Sequence, residues 1–202
     1  DYFGVILLWV LIFWKNIFSN LLFVDYVPAN KYYLWKVLVG SEFTLTINAL
    51  NILRELFGIL GTQRIFFTFI ILFAMLISYF YIKRMAGIDK SNFIPALFAL
   101  IFFFNPFVYT RIMIGQLGIV VAYLLMPVYL YYLIRMFESL EKKDTLKTAI
   151  AFSIIGALTP HFFVMNIIIF LVGSFWFLFY KNTNVDIKKY AKTFLIFIVL
   201  VL

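Results

Sequence analysis

Two stretches of this chain, residues 65–82 and 117–134, contain no charged side chain, and that fact constrains the fold more than any other. A helix needs roughly 20 such residues to cross the hydrocarbon core of a bilayer. The runs are continuous and lack the alternating ten-residue pattern of barrel strands. With 65% of its 202 residues hydrophobic, 22% aromatic and 13% charged, the chain carries more apolar surface than a soluble domain of this size can hide. Its mean hydropathy is +1.04. The reading is an all-α fold, a polytopic transmembrane helical bundle in a cell membrane.

Shorter runs complete the set. Residues 2–14 read as the end of one span and residues 93–104 as a short one with Pro95 near its first turn, where proline is tolerated. Residues 193–202 begin another. Residues 148–180 are too long for one: at 1.5 Å per residue they would reach roughly 50 Å, against a core of about 30 Å. ALTPHFF interrupts them. Pro160 removes a helix hydrogen bond and disfavours helix at Thr159, so two helices are expected with a tight turn at residues 159–161, the first of them short. This makes about seven spans. Residues 1–202 are expected to be one transmembrane domain cut at both ends, since the chain opens at Asp1 inside an apolar run and stops on FLIFIVLVL. The first run lacks the basic start and cleavage site of a signal peptide.

The net charge of +8 belongs to topology rather than to nucleic acid. Lys83, Arg84 and Lys90 sit in one connection, Arg135, Lys142, Lys143 and Lys147 in a second, and Lys181, Lys188, Lys189 and Lys192 in a third. With two helices in residues 148–180 all three connections share one side, cytoplasmic by the positive-inside rule. The opposite, outer side then receives residues 15–64, 105–116 and 159–161. Residues 15–64 are aromatic and apolar enough to lie on the membrane. Within them Leu50, Leu53, Phe57 and Leu60 share one face of an interfacial amphipathic helix over residues 47–60, with Gly61 as its C-cap.

A few outer polar residues are candidates for chemistry. Asp25, in LLFVDYVPAN, is a carboxylate in apolar surroundings; it is either a turn residue ahead of Pro28 or a functional acid. Glu42 and Glu55 are the other outer acids. In NPFVYTRIMIGQLG, Asn105 and Pro106 stop a helix. Arg111 either snorkels at a helix end or presents its fork of donors to a phosphate. Gln116 with Gly115 suits a helix start. His161, the single His, is either structural at its turn or orients a substrate. There is no Cys, which removes thiol and iron–sulfur chemistry. Phosphate-loop, serine-hydrolase and zinc-protease motifs are absent, no acid sits in mid-span, and no inverted repeat is visible.

The order of these pieces resembles the GT-C superfamily of polytopic membrane glycosyltransferases, in particular the bacterial and archaeal YfhO-like membrane proteins. It runs from a first span, through a long outer loop with an early Asp and a later amphipathic helix, to a short span ending in NPFVYTRIMIGQLG and a pair broken at Pro-His. The resemblance implies transfer of a sugar, with inversion, from a polyprenyl-phosphate-linked donor to an acceptor at the outer face. It implies Asp25 as the general base, Arg111 on the donor phosphate, and Tyr109, Gln116 and His161 lining the sugar pocket, with Glu42 and Glu55 beside it. Some members use a divalent metal such as Mg or Mn; here only Asp25, Glu42 and Glu55 supply outer carboxylates. Asp25 is followed by Tyr26, so the paired acids of many GT-C first loops are missing. The rival readings are a lipid or polysaccharide transporter or flippase, and a non-catalytic membrane scaffold subunit.

Overall fold

The structure is a computed structural model and describes residues 2–7, 9–10, 55–56, 58, 66–87, 93–114, 116–181 and 187–201. Every element among them is helical. After the helical residues 2–7 and 9–10 come a π-helical turn Phe66–Ile71 and α1 (Leu72–Ala86), then α2 (Phe93–Phe103), α3 (Pro106–Ile114), α4 (Leu117–Ser139), α5 (Lys142–Leu158), α6 (Pro160–Trp176) with a π-helical extension Phe177–Lys181, and α7 (Ile187–Val201). Most of the 15–64 stretch, with Asp25, Glu42 and nearly all of the helix expected at 47–60, lies outside the described residues.

Three helices among the described residues are long and apolar enough to cross a membrane: Phe69–Ala86, Gly118–Ser139 and Pro160–Phe179. A fourth is obtained if Ile94–Phe103 and Pro106–Ile112, which meet at 42°, form one bent span. The Asn-Pro stretch is therefore not an open loop. Asn105–Pro106 ends one helix, as its chemistry requires, but Pro106 also starts the next, because its fixed φ and missing N–H suit a first helical turn.

The break in the 148–180 region falls at Thr159, in extended conformation (φ −163°, ψ 133°), directly before Pro160 at the head of α6. The first helix of this pair is not short. α5 starts back at Lys142 and has 17 residues, the same as α6. Lys142, Lys143 and Lys147 therefore sit on a helix instead of in a loop.

The core is organised around α4, half of whose span is buried against 28% for the other two. One cluster joins Ile71 of the π-helical turn and Ala74, Met75 and Tyr79 of α1 to Ala99 and Phe103 of α2, Val108 and Ile112 of α3, and Val120, Val121 and Leu124 of α4. A second joins Tyr129, Leu133, Met136 and Phe137 of α4 to Phe152 and Ile155 of α5, Phe162 and Phe170 of α6, and Tyr190 and Phe197 of α7. Stacked rings knit this second cluster, with Phe170–Phe197 centroids 4.3 Å apart and Phe137–Phe177 5.6 Å apart.

The three basic connections meet at one end of the bundle. Arg84 of α1 lies 5.9 Å from the Tyr131 ring of α4, and Lys147 of α5 lies 5.5 Å from the Tyr132 ring. Lys189 of α7 donates to the Ser139 carbonyl at 3.2 Å. The α4–α5 turn at this end is tightly built. Leu140 takes a left-handed conformation (φ 49°) and its N–H reaches the Met136 carbonyl at 2.9 Å. Buried Asp144 accepts from the Ser139 hydroxyl at 2.7 Å, in the first turn of α5, where the helix dipole favours a negative charge.

Two stability predictions follow from the packing. Gly156 of α5 faces Phe163 of α6, and a Cβ there would lie 2.8 Å from the ring. Gly156→Ala should cost about 1–3 kcal/mol through overpacking, measured by unfolding in detergent micelles; a change below 0.5 kcal/mol, on the order of an ordinary surface substitution, would contradict the close α5–α6 approach. Ser139→Ala should cost about 1–3 kcal/mol in the same assay, because it strips the buried Asp144 carboxylate of its side-chain donor.

Candidate functional site

The end opposite the basic connections is built on Asn105 and Tyr123. In the break between α2 and α3 the Asn105 amide donates to the Phe102 carbonyl at 2.8 Å, which is the free carbonyl end of α2. Its Oδ1 accepts the Val108 N–H at 3.0 Å, which caps the start of α3. The same amide donates to the Tyr123 hydroxyl at 2.8 Å and so ties the break to α4.

Tyr123 is the meeting point of four helices. Phe102 of α2 stacks on it at 4.3 Å, Phe107 of α3 lies at 5.3 Å, and Phe162 of α6 contacts it edge-on at 6.5 Å. It packs against both core clusters. Pro127, inside α4, has no N–H to offer the Tyr123 carbonyl one turn earlier.

Arg111 is carried on this frame. Its guanidinium lies 5.4 Å from the centre of the Phe107 ring and donates through Nη1 to Oε1 of Gln116. The chain turns between them, with the Gln116 N–H reaching the Arg111 carbonyl at 2.9 Å. Gln116 stands at the head of α4 without capping it through its side chain. The geometry thus unites two of the expected site residues. One hydrogen bond and one ring face hold the guanidinium.

The other expected residues are placed differently. Tyr109 follows two residues before Arg111 on α3, a rotation of about 200°, and is exposed; it belongs to another face of that helix. His161 is exposed at the start of α6, 3.5 Å from the Thr159 hydroxyl, and its neighbour Phe162 touches Tyr123. Glu55 is exposed. Asp25 and Glu42 lie outside the described residues. No three His, Asp or Glu side chains come together among the described residues, so this part of the chain offers no metal cage. An apolar groove of about 410 Å³ between α4 and α6 is lined by Leu133, Phe137, Val172, Gly173 and Trp176, and none of Arg111, Gln116 or His161 borders it.

Asn105 and Tyr123 were not legible as site residues from the sequence, where Asn105 reads as a helix stop. The available signal was a Tyr within an apolar run, whose hydroxyl needs a partner inside a membrane. Asn105→Ala should destabilise the protein by about 2 kcal/mol, and Tyr123→Phe by about 1 kcal/mol, in detergent unfolding. The double variant should fall short of their sum, since both remove one shared bond; full additivity would show that the pair is not coupled.

No protein family, no curated protein and no solved structure matches the chain.

Proposed function

We propose that this chain is part of a membrane glycosyltransferase of the GT-C type, which moves a sugar from a polyprenyl-phosphate-linked donor to an acceptor at the outer membrane face. The observation that carries the reading is Arg111: a guanidinium positioned by Gln116 and Phe107 at the end of the bundle opposite the basic connections. A bidentate cation at the edge of an apolar bundle suits the phosphate of a lipid carrier. The fuller architecture belongs to the same proposal: about seven spans, an outer loop over residues 15–64 with an interfacial helix, and the basic end on the cytoplasmic side of a bacterial or archaeal cell membrane.

In this reaction the Asp25 carboxylate takes the proton of the acceptor hydroxyl as that oxygen attacks the anomeric carbon. The bond from the anomeric carbon to the phosphate oxygen breaks on the opposite face, and the polyprenyl phosphate leaves with the electron pair. Arg111 stabilises the charge on that leaving phosphate. Gln116 fixes the guanidinium. His161 and Tyr109, with Glu42 and Glu55, contribute to the surroundings of the sugar.

A transporter or flippase for the same lipid-linked class is the second reading. The bent α2–α3 pair favours it, since interrupted helices often build transport sites. So does Asn166, fully buried in α6 with neither end of its side-chain amide hydrogen-bonded among the described residues.

The test is transfer of labelled sugar from polyprenyl-phosphate donors by the protein in membranes. Arg111→Gln should lower transfer by about 10²–10³, and Asp25→Asn by about 10²–10⁴, with protein levels unchanged. Undiminished transfer by Asp25→Asn would move the base to Glu42 or Glu55. Undiminished transfer by Arg111→Gln would remove the phosphate role. Absence of transfer across a donor panel, with lipid-linked sugar crossing the bilayer, would establish the transport reading.

A further inference from the structure

At the basic end, three helices bring three tyrosines and three cations together. Tyr81 of α1 and Tyr132 of α4 share a hydrogen bond of 2.7 Å between their hydroxyls. Their ring centroids are 5.5 Å apart, and Tyr131 lies 5.1 Å from Tyr81 and 5.3 Å from Tyr132. Arg84 stands 4.5 Å from the Phe80 ring and 5.9 Å from Tyr131. Lys147 stands 5.5 Å from Tyr132. Arg135 follows Tyr131 by four residues and Tyr132 by three on α4, which puts it on the same side of that helix.

Of the acids nearby, Glu138 follows Arg135 by three residues on α4 and makes a contact of its own. Glu141 pairs with Lys143 at 2.7 Å, and Asp144 is buried against Ser139. Arg84, Arg135 and Lys147 are exposed and have no carboxylate partner among the described residues. The phenols are half-buried. In the Tyr81–Tyr132 bond the accepting hydroxyl keeps its own proton to donate. The hydroxyl of Tyr131 makes no hydrogen bond among the described residues. The tyrosines precede the ends of α1 and α4 by one to two turns, the depth at which aromatic side chains meet the headgroup layer.

The geometry points to a binding site for the phosphate headgroup of an anionic phospholipid, held by Arg84, Arg135 and Lys147 around the Tyr81–Tyr131–Tyr132 cluster. A phosphodiester accepts hydrogen bonds only, and the cluster offers donors and positive charge. The site lies at the other end of the bundle from Arg111, so it stands independently of the transferase reading.

The test uses the full chain purified in detergent, with retained lipid counted by native mass spectrometry after addition of phosphatidylglycerol or phosphatidylcholine. Wild type should prefer phosphatidylglycerol, and Arg84→Gln or Lys147→Gln should each reduce that preference about fivefold. The triple variant with Arg135→Gln should remove it. Tyr131→Phe should lower it roughly fivefold through one lost hydrogen bond, and it leaves the folded contacts of that ring in place should the triple variant not fold. Lys142→Gln, an exposed lysine at the same end, should change nothing. An unchanged preference in the Arg84, Lys147 and Tyr131 variants, or an equal loss in Lys142→Gln, would overturn the site. Displacement of phosphatidylglycerol by millimolar inorganic phosphate would overturn the lipid assignment in favour of a soluble anion.

Discussion

Inside a bilayer an interrupted helix exposes backbone groups that no water reaches, and the side-chain amide of Asn105 resolves that difficulty between α2 and α3. One amide serves the Phe102 carbonyl of α2, the Val108 N–H of α3 and the hydroxyl of Tyr123 on α4. Without it the 42° bend would leave the Phe102 carbonyl and the Val108 N–H without this partner. With it, α3 is a fixed arm. Val108 and Ile112 enter the core, while Phe107 and Arg111, one turn apart, share the face beside the α3–α4 corner. The placement of Arg111 therefore derives from a helix break.

α4 transmits that arrangement through the molecule. Tyr123 near its start touches both core clusters, and Tyr131 and Tyr132 near its end gather the cations of α1 and α5. α1 and α4 run parallel, as shown by Ile71 clustering with Val120 at one end and Tyr81 bonding to Tyr132 at the other. The bundle has two chemically distinct ends as a consequence. One is basic and phenolic. The other carries the Arg111 guanidinium, held by an amide and a ring. Both proposals, a carrier phosphate at Arg111 and a headgroup phosphate at the tyrosine cluster, rest on this polarity.

Much of the helical layout was legible in the sequence because lipid imposes a strong rule: apolar runs of sufficient length become helices. The interruption at Pro160 was legible for the same reason, since proline leaves little choice at Thr159. The origin of α5 was not, because Lys142, Lys143, Asp144 and Lys147 read as a polar connection. Local bonds and one long-range contact hold them helical: Asp144 is buried against Ser139, Thr148 bonds back to the Asp144 carbonyl, and α7 clamps the turn through Lys189. The pairing of Arg111 with Gln116 was legible only as two candidates five residues apart. Their joining depends on a turn between α3 and α4 that local pattern does not encode. Tyr109, close to Arg111 in sequence, lies on a different face because a two-residue step does not return to the same side of a helix.

Because the chain contains no Cys, single cysteines can report its two ends without background. The decisive measurement is labelling of Tyr109→Cys, at a position 67% exposed, and of Lys142→Cys, exposed on α5, by a membrane-impermeant maleimide in sealed cells and in inverted vesicles. The account predicts that Cys at position 109 reacts from outside the cell and Cys at position 142 only from the cytoplasmic face. Reaction of both from the same face would contradict the separation of the Arg111 end from the basic end, and with it the placement of both phosphate sites.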